Sequence, residues 1–138
     1  MHTFARTLVL FFMAVISNAG IAADWKRVSS NHSALIDASS IRRDTFPKPV
    51  GGIIYPGQTE TYKIGWMRFE EGQEVVLLEV VFDCRGSFGV MQQVVNGENA
   101  QSRYKSYDNT QNFRRVGPAL RSFAPDSAYE AAQKLVCK

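Results

Sequence analysis

Between residues 60 and 95 three apolar runs follow one another with almost nothing between them. They are Glu60 to Phe69, Glu74 to Cys84 and Ser87 to Val95, separated by Glu-Glu-Gly-Gln at 70 to 73 and by Arg85-Gly86. Connections this short join antiparallel neighbours, because parallel strands need a crossover of about a dozen residues or more. In the middle run Val76, Leu78, Val80, Phe82 and Cys84 share one parity, while Glu79 and Asp83 mark the other. Successive strand side chains point to opposite faces, so the apolar set defines a core face and puts Cys84 on it. By the same count Tyr62, Ile64 and Trp66 share a face in the preceding run, and Phe88, Val90 and Val94 in the following one.

A sheet with one apolar face needs a cover, and the end of the chain supplies a helix. Ser127 with Glu130 three residues later is a capping box, Pro125 sits just outside it, and Ala128, Ala131, Ala132, Leu135 and Val136 recur at helical spacing. Their small side chains let the helix lie flat on the sheet. Cys84 and Cys137 are the only cysteines, and in an exported chain they pair with each other. At 3.6 residues per turn Cys137 would fall opposite the apolar stripe, so the helix is expected to end at Val136 and let Cys137 turn inward. Closing such a loop is worth about 4 kcal/mol in the chain-entropy account. The fold class that follows is α+β, an antiparallel sheet with a C-terminal helix tethered to one face by the disulfide.

Elsewhere the signals are local. Trp25 to Val28 and Ala34 to Ile36 predict a first hairpin across the turn-forming run Ser29-Ser-Asn-His-Ser33. Asp37 to Arg42 predicts one helical turn capped by Asp37. Asp44 to Thr59, with Pro47, Pro49, Gly51, Gly52, Pro56 and Gly57, predicts a loop insertion, and Gln101 to Tyr107 a further strand.

The opening residues have the order of a secretory signal: Arg6, the apolar stretch Leu8 to Ile16, then the small and polar run Ser17 to Ala23. About nine apolar residues are too few to cross a bilayer, which takes roughly 20. Cleavage is expected to leave a chain starting at Ala23 or Asp24, so residues 1–23 are read as signal and 24–138 as a single domain with no membrane span.

Chemistry-bearing patterns are sparse. A nucleophilic triad needs a base, and after the signal only His32 remains, placed in a turn. Glu70, Glu71 and Glu74 sit in a hairpin connection, where charge keeps the turn solvated, and neither a glycosidase pair nor a calcium loop is expected there. Gly51-Gly52 and Gly86-Ser-Phe-Gly89 lack the lysine and helix of a phosphate loop. No catalytic, cofactor or metal set is expected. A formal net charge of +3 is too small to imply nucleic acid. The basic residues Arg103, Lys105, Arg114, Arg115 and Arg121, interleaved with Tyr104, Tyr107 and Phe113, are the candidates for partner binding. If the segment folds back along the sheet edge, these five gather into one exposed cluster suited to acidic groups.

Several features in order resemble the surface-adhesin protein E family of proteobacteria, over nearly the whole of 25–137. They are Trp25 with Val28 soon after, Leu35-Ile36-Asp37 followed by Ser40-Ile41-Arg42, the strand ending Asp83-Cys84, and Pro125-Asp-Ser127 through Leu135-Val-Cys137. The resemblance implies a bacterial source and about six antiparallel strands, with the helix tethered to their concave face. It also implies a non-enzymatic adhesin that binds a host or matrix protein, an acidic glycan or an envelope component; a homodimer is a further expectation. One departure bears on location. The family's founding member is a lipoprotein, and lipidation needs a cysteine directly after the cleavage site, whereas here the first cysteine is Cys84. The protein is therefore expected in the periplasm or outside the cell without a lipid anchor. A periplasmic accessory or inhibitor domain and a small hydrolase are the alternative functions.

Overall fold

A computed structural model describes residues 22–138. The export signal expected at the N-terminus lies, except for its last two residues, outside them. Among the described residues eight strands form one antiparallel sheet: β1 (Trp25–Arg27), β2 (Leu35–Asp37), β3 (Arg42–Pro47), β4 (Thr59–Glu71), β5 (Glu74–Asp83), β6 (Ser87–Asn96), β7 (Tyr107–Asp108) and β8 (Arg121–Ser122). Two helices complete it, α1 (Thr110–Val116) and α2 (Ala128–Val136). The α+β class and the C-terminal helix tied by Cys84–Cys137 are as the sequence indicates, with two more strands than the six expected.

The three long strands β4, β5 and β6 are the meander read from the apolar runs, and each outer edge of that meander is filled by two short strands in turn. β4 pairs with β3 along its first half and with β2 near its end. Between them the 3₁₀ turn Ala38–Ser40, capped by Asp37, interrupts the ladder. Ser40 repairs the gap, its hydroxyl accepting the Trp66 N–H at 2.9 Å and donating to the Asp37 carbonyl at 2.7 Å. On the far side β6 pairs with β8 at Ser87 and Phe88 and with β7 at Gln92 and Gln93.

Asp37, a buried carboxylate, accepts from the N–H of Asp24 (2.8 Å), the N–H of Ser39 (3.0 Å) and the Ser39 hydroxyl (2.6 Å). Burial opposes its ionisation, and those hydrogen bonds more than offset the burial, so its pKa lies below the ordinary carboxylate value.

Each face of the sheet carries its own core. Val76, Leu78, Val80 and Phe82 of β5 pack with Ile36, Met67, Phe88 and Val95 beneath Ala132 and Val136 of α2. The opposite face, marked as solvated by Glu79 and Asp83, is covered as well: Ile64, Tyr62, Val81 and Met91 pack against Phe46 of β3 and Phe113 of α1. Glu79 is buried there, with Arg42 at 3.5 Å.

Four expectations need correction. Val94 does not share a face with Phe88 and Val90. β6 carries a bulge, with Glu79 opposite Gln92 and Val80 opposite Val90, so the extra residue Met91 inverts the alternation and Val95 joins the α2 core instead. Gln101 to Tyr107 is not a strand; residues 99–106 are held in turns by side chains such as Ser102, which accepts the Asn99 N–H at 2.7 Å. The loop expected from Asp44 begins only after Pro47, because Phe46 anchors β3 in the second core. Cys84 lies one residue past β5 and is exposed, so it meets Cys137 at the end of the sheet rather than from the core face. Cys137 follows the helix end at Val136, as expected, with the Cα atoms of the pair 5.6 Å apart.

Gly89 shows how tightly the chain crosses β6. A Cβ there would lie 2.3 Å from the Ala119 carbonyl oxygen, so only glycine lets the segment before β8 pass.

Candidate functional site

The five basic candidates do not form one cluster. Arg103 and Lys105 lie in the turns beyond the end of β6, Arg103 over the Tyr104 ring at 5.6 Å and Lys105 donating to the Asn99 carbonyl at 2.9 Å. Arg121, on β8, lies over Phe88 near the start of β6, 5.1 Å from the ring centre and on the α2 face. Arg114 and Arg115 belong to α1 on the other face. Arg115 donates to Asn112 at 3.1 Å. Arg114 is exposed but engaged: its two terminal nitrogens donate to both oxygens of Asp44 at 3.0 and 2.5 Å, and its guanidinium lies 4.8 Å from the centre of the Phe46 ring. Its hydrogen bonds hold the Asp44 pKa below the ordinary carboxylate value.

The surface feature that stands apart is the connection between β3 and β4. Val50 and Ile53 exchange both backbone hydrogen bonds, 2.8 and 3.1 Å, around Gly51 and Gly52, whose φ values are +60° and +78°. Two residues at positive φ make the tight turn that closes a hairpin. Lys48 and Gln58 extend the closure by a hydrogen bond of 2.9 Å. The tip therefore has a defined shape, yet it presents Val50, Ile53, Ile54 and Tyr55 at 51, 55, 40 and 47% exposure. Among the described residues, Tyr107 is the one other large hydrophobic side chain so exposed. A Cβ added at Gly51, Gly52 or Gly57 would meet nothing within 4 Å, so the tip stands clear of the body. The available signal in the sequence was the triplet Ile53-Ile54-Tyr55 inside a Gly- and Pro-rich segment, where solvated loops are polar.

A cleft of about 490 Å³ lies where the β1–β2 turn meets the start of α2 and is lined by Ser29, His32, Asp126, Glu130 and Lys134 among others. His32 Nε2 donates to the Asp126 carbonyl at 2.7 Å, which leaves Nδ1 to accept from the Ser29 hydroxyl at 2.6 Å. Serine beside imidazole is the contact of a nucleophile and its base. Here, however, Ser29 also accepts the Asn31 N–H at 3.3 Å, and all three residues sit in one turn. What the pair accomplishes is a tie across 94 residues of sequence, from the first hairpin to the residue before the helix cap. Asp126 takes a left-handed φ of 56° to offer its carbonyl.

No metal-binding group of three or more His, Cys, Asp or Glu occurs among the described residues. Among them no helix is long and apolar enough to cross a membrane. Comparison with family models, with curated proteins and with solved structures finds no match to this chain.

Proposed function

We propose that this protein is an exported, disulfide-closed binding module that docks on a protein partner through the hairpin tip Val50, Ile53, Ile54 and Tyr55. The observation that carries the reading is the gathering of exposed large hydrophobic side chains on one closed turn. Apolar groups displayed together on a rigid support lose little conformational entropy on binding and supply anchors that a partner's pocket can bury. The resemblance of the sequence to the surface-adhesin protein E family points to binding in the same way, with a matrix or envelope protein as the partner class. The contact surface moves from the basic segment to the β3–β4 hairpin.

The test uses immobilised matrix and envelope proteins, heparin, and lipid vesicles, with wild type, Ile53→Ser/Ile54→Ser and Arg103→Ala/Arg121→Ala side by side. One protein ligand is expected to bind wild type with an affinity that changes little with salt, because the contact is apolar, and to lose roughly ten-fold or more with the hairpin variant. Equal binding by wild type and hairpin variant, binding to heparin that depends on Arg103 and Arg121, or binding to vesicles alone would overturn the reading.

A further inference from the structure

The register of β3 on β4 sets Arg43 directly opposite Lys63. Side chains so opposed start with their Cβ atoms about 5 Å apart, and like charges there weaken the sheet. The neighbouring charges are compensated: Arg42 pairs with Glu79, Lys48 with Glu60, and Arg85 with Asp83 and Glu60. Arg43 and Lys63 make no ion pair or side-chain hydrogen bond among the described residues. Both line a depression of about 320 Å³ on the α2 side of the sheet, beside the disulfide, with Phe82 and Thr61 in its lining. Thr45, two residues along from Arg43 and on the same face, has its hydroxyl 3.0 Å from that of Thr61. Glu60 and Asp83 line the same depression, but Glu60 is held by Lys48 and Arg85 and Asp83 by Arg85, which leaves Arg43 and Lys63 as the cations of its lining without an ion pair.

From this juxtaposition we infer an oxyanion site in which Arg43 and Lys63 share a sulfate or phosphate group. A guanidinium offers two parallel donors, an ammonium offers a third from the facing strand, and the Thr61 hydroxyl offers another at the edge of the same depression. A doubly charged tetrahedral group answers both cations at once, whereas a carboxylate answers one. Relief of the cross-strand repulsion between the two cations adds to the attraction when the anion enters. This site shares no residue with the hairpin tip and stands or falls apart from it.

The two-variant test turns on that repulsion. Lys63→Glu sets a carboxylate opposite Arg43 and replaces repulsion with attraction. In chloride at matched ionic strength this variant is expected to melt above wild type. Low-millimolar sulfate or inorganic phosphate is expected to raise the wild-type Tm by about 2–4 °C and to move the amide resonances of residues 43, 61 and 63. In Lys63→Glu both responses are expected to disappear. Ile53→Ser/Ile54→Ser is expected to keep them. A sulfated disaccharide that binds more tightly than free sulfate would identify a sugar-borne ester as the source, and equal or weaker binding would identify the free ion. A wild type that does not respond beyond chloride, or a response unchanged in Lys63→Glu, would overturn the inference.

Discussion

Arg114 faces solvent and at the same time joins two elements, clamping Asp44 of β3 from α1 while lying over the Phe46 ring. Reading it from the sequence as a free binding cation missed this, because its partner is 70 positions away and one acid in a Pro- and Gly-rich stretch gives no pairing signal. Arg114→Ala is expected to cost about 1–2 kcal/mol, from a two-point ion pair and a cation–π contact at a half-exposed site. Arg115→Ala should stay within about 0.5 kcal/mol. Urea unfolding of both variants checks the contrast. The pH dependence has a definite sign. The Asp44 pKa is lowered in the folded state, so its contribution is full above its ordinary value of 3.8 and fades as acid titrates it below that point. The gap between wild type and Arg114→Ala should be present at neutral pH and close in that acid range.

Elements were legible where they obeyed a period and illegible where a single residue broke it. The meander β4–β6, the first hairpin and α2 with its Ser127 cap followed from alternation, turn chemistry and helical spacing. The bulge at Met91 did not, because Val94 and Val95 are chemically equivalent and only the pairing tells which one faces α2. α1 was missed for another reason. Asn109 makes no side-chain cap, and Phe113 is its one buried residue, so no apolar stripe announces it. Arg114-Arg115 followed by Gly117 was the signal available, being the basic last turn and glycine stop of a helix end. The hairpin tip was legible as a loop but not as a surface, since exposure of Ile53 and Ile54 depends on the body failing to fold over them. Gly89 makes the crossing of β6 testable. Gly89→Ala is expected to cost more than about 2 kcal/mol, because the obstacle to its methyl group is the backbone carbonyl of Ala119, which cannot swing aside as a side chain would. Thermal unfolding of the disulfide-bonded protein measures it.

At the scale of the whole molecule, α2 is held at both ends by bonds that do not depend on its packing. His32 ties the residue before its cap to the first hairpin, and Cys84–Cys137, with Gln133 donating to the Asp83 carbonyl at 3.2 Å, ties its last turn to the end of β5. Cys84→Ala and Cys137→Ala are each expected to destabilise by about 2–5 kcal/mol, with the double variant no worse than either single one, as denaturant titration would show. The same bond also decides how the fold answers a pull. Tension entering at the C-terminus passes through sulfur to Cys84 and on into β5, so α2, β6 and everything else between the two cysteines lie off the load path. The 53-residue separation withholds about 180 Å of contour length from any extension. Stretched by its ends, the oxidised molecule can yield only the part that precedes Cys84, and a reductant would lengthen the same tether without touching a single strand.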